Sequence, residues 1–136
     1  MELRLLNNND MLELVPLYVL MIRRMDENAS EYAGINALFS EINHKQDFMA
    51  FGLFEKEKLV GFMTGYYFSK KQFHFSGIYV TMKNTSGLKK MIDFSLDCIR
   101  KKGYSAWSSD ATNSNISRIM QKYGAKAQFT HFVGEL

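Results

Sequence analysis

Apolar positions change period along the chain, and the changes mark out its elements. Glu2 to Leu6 (ELRLL) alternates as a short strand does, and Asn7, Asn8, Asn9 and Asp10 follow as a turn and N-cap cluster. Met11 to Met25 is apolar at helical spacing. Pro16, the only proline, sits inside it, so either the helix kinks there or regular helix starts near Val15 with Pro16 in its first turn. Asp26, Glu27 and Asn28 break the pattern. Ser30 to His44 predicts a second helix, with Tyr32, Ile35, Leu38, Phe39 and Ile42 on one face and Ser30 as its cap.

The period then shortens. Phe48 to Glu55 predicts a strand, Lys56-Glu57-Lys58 a polar turn, Leu59 to Phe68 the next strand, and Ser69 to Gln72 the turn into a strand over Phe73 to Met82. These form a three-stranded antiparallel meander. In the run LKKMIDFSLDCIRKKG the helical period returns: Leu88, Met91, Ile92, Ser95, Leu96 and Ile99 share one stripe, and Gly103 stands where a C′ glycine belongs. Tyr104 to Ser108 predicts a strand parallel to the one before this helix, because the helix crosses over between them. Asp110 to Ser114 reads as a loop, Ile116 to Tyr123 as a short helix ended by Gly124, and Ala127 to Val133 as a last strand.

Composition narrows the function classes. The 136 residues suit one domain, 1–136, with no linker, repeat or low-complexity segment. A net charge of +3, with no basic arm, is too weak a signal for nucleic acid. The single cysteine, Cys98, excludes a disulfide framework and a cysteine-rich metal site, points to a reducing, cytoplasmic setting, and reads as a small helix residue; no metal is expected. The apolar segment from Leu12 to Ile22 is interrupted by Glu13 and ended by Arg23 and Arg24, so no membrane span is expected.

The turn KNTSG links strand to crossover helix. Thr85 and Ser86 are good N-cap types, Gly87 permits close approach of a ligand to the backbone, and free N–H groups at the positive end of a helix suit phosphate. The plainer reading is that these residues only cap the helix.

The order of elements, β–α–α–β–β–β–α–β–α–β, with this turn after the fourth strand, resembles the GNAT superfamily of acetyl-coenzyme-A-dependent N-acyltransferases. KLVGFMTG is similar to its third strand, IYVTMKNTSGLKKMI to its cofactor segment, and NSNISRIMQKYGA to its late helix. The resemblance covers nearly the whole chain and implies an α+β fold with αβα layering: a mixed, mostly antiparallel sheet with helices on both faces. It implies that the fourth and fifth strands splay, that the pantetheine arm of acetyl-CoA pairs with backbone over Ile78, Tyr79, Val80, Thr81 and Met82, and that the pyrophosphate rests on the turn. There Asn84 falls at the family's Arg/Gln position, Thr85, Ser86 and Gly87 form the turn with Gly87 at the middle glycine, Leu88 follows, and Lys89 stands where the family keeps Gly or Ala. Asn113 matches the late-helix Asn. The chain departs from the family in keeping only one glycine of the turn, and in carrying Met120 where the family's tyrosine protonates the departing thiolate.

Acyl transfer from a thioester to an amine asks for a proton acceptor, stabilisation of the carbonyl oxygen and a route for the thiol to leave. His74, on the fourth strand, is the candidate base, against the plainer reading of an outward-facing strand residue. Asp110 is a second candidate, against a cap or turn residue. Tyr123, three residues after Met120, is the candidate acid, against a core aromatic. His44 and His131 have no evident partner, and Tyr66, Tyr67 and Trp107 read as packing residues. The expected partners are acetyl-CoA and a primary amine of a small molecule or protein, with a homodimer left open. Three readings remain: an N-acetyltransferase, a module of the same fold that binds or assembles without catalysis, and an unrelated α+β domain.

Overall fold

The computed structural model describes residues 1–110, 118–119, 121–124, 126–128 and 131–136. The described residues form seven strands and three α-helices. They are β1 (Glu2–Leu5), α1 (Met11–Met25), α2 (Glu31–His44), β2 (Met49–Glu55), β3 (Lys58–Ser69), β4 (Gln72–Val80), α3 (Leu88–Lys101), β5 (Ala106–Asp110), β6 (Lys126–Gln128) and β7 (His131–Glu135). The sheet runs β1-β2-β3-β4-β5-β7-β6, antiparallel throughout except for β4 and β5.

Each face of the sheet carries its own core. Phe51, Leu53, Met63, Phe73, Phe75, Ile78 and Trp107 meet the apolar stripe of α3 (Met91, Ile92, Ile99), while Phe54, Phe62 and Tyr79 meet Leu14, Tyr18 and Met21 of α1 and Leu38 of α2. The layering is therefore helix, sheet, helix, as expected. Burial of these stripes supplies the main driving force, at about 25 cal/mol per Å² of apolar surface.

The helix starts follow their caps. Asn7 and Asp10 form a capping box on a 3-10 turn (Asn8–Asp10) that runs straight into α1, so α1 begins at Met11 and Pro16 lies inside it. The alternative start near Val15 is not what forms. Ser30 caps α2, its hydroxyl accepting from the Ala33 N–H at 3.1 Å.

Two expectations are corrected. The last strand is two, β6 and β7, paired antiparallel with Gln128 opposite His131; no Gly, Pro or Asn marks the reversal between them. And Thr85 and Ser86 do not cap α3. The chain from Met82 to Gly87 is a 3-10 segment kinked at Asn84, and Gly87 occupies the cap position, with no side-chain cap hydrogen bond.

Candidate active site

The site begins with an extra residue in β4. Thr64 of β3 pairs with Gly77 and Gly65 with Phe75, so Ser76 is left over as a β-bulge. Parallel pairing with β5 runs from Gln72↔Ala106 to Phe75↔Ser109 and ends there, one residue before the bulge, while β4 continues to Val80. The bulge also explains the side-chain pattern: Phe73 and Phe75, then Ile78 and Val80, all face α3, with a three-residue step from Phe75 to Ile78 that only an extra residue permits.

On the opposite face, toward α1 and α2, polar groups gather at the point where the strands part. His74, 5% exposed, bonds through Nδ1 to Ser108 Oγ at 2.8 Å, joining β4 to its register partner on β5. The outward-facing reading of His74 is thus excluded. Its ring lies 5.4 Å from that of Tyr66, and the Lys45 ammonium stands over that same Tyr66 ring, 5.0 Å from its centroid. Ser76 donates to Glu41 Oε2 at 2.8 Å, and its hydroxyl lies 3.3 Å from Thr64 Oγ1. Glu41 faces the buried Tyr18, whose phenol is pushed above its ordinary range, first by burial and then by the Glu41 charge.

Glu41, Tyr18 and Ser76 were missed by sequence reasoning. The signal for Glu41 is its position: it follows Gly34 and Leu38, the buried residues of α2, by seven and three residues, so a carboxylate sits on the stripe that faces the sheet. For Ser76 the signal is the skipped beat between Phe75 and Ile78.

The turn into α3 differs from its expected form. The Asn84 N–H is used by the Thr81 carbonyl at 2.9 Å, Asn84 Nδ2 donates to Thr81 Oγ1 at 2.8 Å, and the Leu88 N–H is used by the Thr85 carbonyl. Gly87 is buried, and a Cβ there would stand 2.5 Å from Leu53 Cδ2 and 3.0 Å from Met1 Sδ. Its small size serves close packing of the turn on the sheet. Thr85, Ser86, Lys83, Lys89 and Lys90 are exposed around it.

Tyr123 is anchored to the outside of α3. Its hydroxyl donates to Asp93 Oδ1 at 2.7 Å and lies 3.3 Å from the Lys89 carbonyl, and burial, then the Asp93 bond, raise its pKa. The structure therefore places Tyr123 with α3 and His74 with β5, rather than as a pair. Asn113 and Met120, and the side chain of Asp110, lie outside what is described. Cys98 is half-buried and burial raises its thiol pKa, which leaves it a poor nucleophile. Among the described residues no cluster of His, Cys, Asp and Glu is placed to hold a metal, and no helix is long and apolar enough to cross a membrane. A groove of about 750 Å³ lined by Leu5, Phe39, Ile42, Lys45, Phe48 and Lys102 lies beside the start of β2, where Met49 pairs with Gly65 and Gly65 with Phe75.

No protein-family model and no curated protein matches this sequence. Solved structures do. The PaiA N-acetyltransferase of Thermoplasma acidophilum in complex with coenzyme A superposes with a TM-score of 0.73 at 16% identity, covering 99% of this chain and 98% of its own. A GNAT-family acetyltransferase of Staphylococcus aureus Mu50 gives 0.77 at 11% identity over 99% and 98%. The ribosomal-protein-alanine N-acetyltransferase of Brucella melitensis gives 0.74 at 12% identity over the whole of both chains. At such identities the likeness establishes the fold: the chain has the GNAT acetyltransferase fold.

Proposed function

We propose that the chain is an N-acyltransferase that moves an acetyl group from acetyl-CoA to a primary amine by direct attack. The observation that carries this reading is the parting of β4 and β5 at the Ser76 bulge. Beyond it, β4 turns an edge that no strand among the described residues occupies, and an extended ligand can add to such an edge by main-chain hydrogen bonds. Ile78, Tyr79, Val80, Thr81 and Met82 would line a pantetheine arm there, with Asn84, Thr85, Ser86, Gly87, Leu88 and Lys89 toward the pyrophosphate; Asn113, outside the described residues, is kept as a cofactor-binding residue on the family resemblance alone.

The strand gap fits that arm; the turn fits a diphosphate less fully. Two N–H groups are already committed and Gly87 is turned inward, so the exposed ammonium groups of Lys83, Lys89 and Lys90 would supply much of the attraction. Acetyl-CoA, when bound, supplies a thioester carbonyl that an amine can attack. His74, fixed by Ser108 one rung below the opening, is assigned as a proton acceptor for the reacting nitrogen.

The test is a melting shift with acetyl-CoA. Ligand at about 100 times Kd should stabilise the fold by about 2.7 kcal/mol, a rise of several degrees. Thiol release with a panel of primary amines should follow, and His74→Gln should keep the melting shift while losing most turnover. No shift with acetyl-CoA would end the acyl-CoA reading. A shift without thiol release from any amine would favour the second reading, a binding module of this fold, which the committed donors and inward Gly87 of the turn support.

A further inference from the structure

We propose that Arg24, in the last turn of α1, binds the diphosphate of the acyl-CoA and supplies a positioned cation that the turn into α3 lacks. The ligand rests on the acyltransferase reading above; the placement rests on the open edge of β4. The Thr81 N–H bonds the Val60 carbonyl at 2.9 Å, so Thr81 turns its main chain toward β3. Val80, one residue earlier and opposite Gly61, turns its own carbonyl the other way, to the side on which pairing with β5 ends at Phe75. Arg24 Nη2 donates to that carbonyl at 3.4 Å, and the guanidinium lies 4.1 Å from the centroid of the buried Tyr79 ring. An arginine from a helix therefore covers the end of an edge that no described strand occupies.

The guanidinium is positioned, but its charge is not met. The Tyr79 ring holds it by a π face, which orients a cation without neutralising it. The bond to Val80 is longer than the usual range, so a ligand can displace it at little cost. Asp26, the nearest acid in sequence, accepts from the Asn28 N–H at 3.1 Å, and among the described residues Arg24 forms no ion pair. Its neighbour Arg23 is engaged elsewhere, Nε donating to the Ala29 carbonyl at 3.3 Å. Arg24 is also exposed, so an anion can reach it.

Height along the strand selects the part of the ligand that meets it. The reacting end belongs at the Ser76 bulge, beside His74, and four residues of strand, about 13 Å, lead from there to Val80. Beyond Val80 the chain enters the 3-10 turn from Met82 to Gly87, two of whose N–H groups are committed. Arg24 thus stands where an arm laid along β4 gives way to phosphate. A planar fork of donors suits two phosphoryl oxygens better than a single ammonium does. The exchange also frees the Val80 carbonyl to accept from an amide of the arm. One side chain covers the edge in the free protein and holds the diphosphate in the complex.

The test follows backbone amide chemical shifts of the whole protein with coenzyme A, dephospho-coenzyme A and pantetheine, the last lacking the diphosphate and the nucleotide. Arg24→Gln should weaken coenzyme A and dephospho-coenzyme A alike, by about tenfold or more, and should not weaken pantetheine. Arg24→Lys, which keeps the charge without the fork, should fall between parent and Arg24→Gln. Arg23→Gln, which removes the same charge one residue away, should bind as the parent does. Equal coenzyme A affinity in Arg24→Gln, an equal loss in Arg23→Gln, an equal loss for pantetheine, or a loss seen with coenzyme A and not with dephospho-coenzyme A would each overturn the proposal. Were Arg24→Gln unable to fold, Arg24→Lys would carry the same comparison. Coenzyme A bound through Arg24 with no thiol release to any amine would defeat the acyltransferase reading alone. Coenzyme A bound equally well without Arg24 would defeat this inference alone, and a parent that binds no coenzyme A would defeat both.

Discussion

Arg4 and Asp10 show how much one pair of side chains holds. Arg4 Nη1 and Nη2 donate to Asp10 Oδ2 and Oδ1, each at 2.8 Å, and the guanidinium lies 4.2 Å from the centroid of the Phe54 ring. Asp10 also accepts from the Asn7 N–H at 2.8 Å, so one carboxylate ties β1 to the start of α1. The Arg4 hydrogen bond, above all, holds the Asp10 carboxyl below its usual 3.8. A carboxyl depressed in the folded state contributes stability above its ordinary pKa and loses it as pH falls through the lower native value. Asp10→Ala should therefore cost about 2 kcal/mol at neutral pH. The gap between parent and variant should shrink as pH falls below 3.8, as followed by urea denaturation at each pH; a gap that stays constant would show that packing rather than charge is lost. The cap was legible because Asn7 to Asp10 are residues that cap by local geometry. Glu41 was not, because its partner Ser76 is distant in sequence, and only a folded sheet brings a strand bulge under a helix.

At the scale of elements, helices and central strands were legible because stripes of Leu, Ile and Phe at fixed spacing must find a core. Departures arise where the backbone is set by something other than side-chain period. Pro16 rests inside α1 because the 3-10 turn at Asn8–Asp10 moves the helix start upstream of it. The approach to α3 winds as 3-10 helix from Met82, so Thr85 and Ser86 lie inside a turn rather than at its cap. The β2–β3 hairpin turns on two residues, Lys56 and Glu57, with φ of 50° and 67°. Both are left-handed, the geometry of a type I′ turn, which Asn-Gly suits and Lys-Glu does not. Replacing the pair with Asn-Gly should stabilise the fold by about 1 kcal/mol, raising the urea midpoint without changing the slope. A midpoint that falls would mean that Lys56 or Glu57 makes contacts worth more than the strain.

At the scale of the molecule, one extra residue separates a closed sheet from an open one. A bulge usually shifts side chains between faces, but here register and alternation are arranged around it. With Ser76 removed, Gly65↔Phe75 and Thr64↔Gly77 become consecutive pairs, Phe73, Phe75, Ile78 and Val80 keep their face toward α3, and Gly77 and Tyr79 keep theirs toward α1. Neither core needs the residue, so its use lies in the bend: β4 turns away from β5 directly after Phe75. Deleting Ser76 should therefore leave a folded protein with dispersed amide resonances, straighten β4, and let its pairing with β5 continue beyond Ser109. The deletion should abolish the acetyl-CoA melting shift, because the arm loses its edge. An unfolded product would show that the register depends on the bulge, and undiminished acetyl-CoA binding would show that the ligand does not use the gap between β4 and β5.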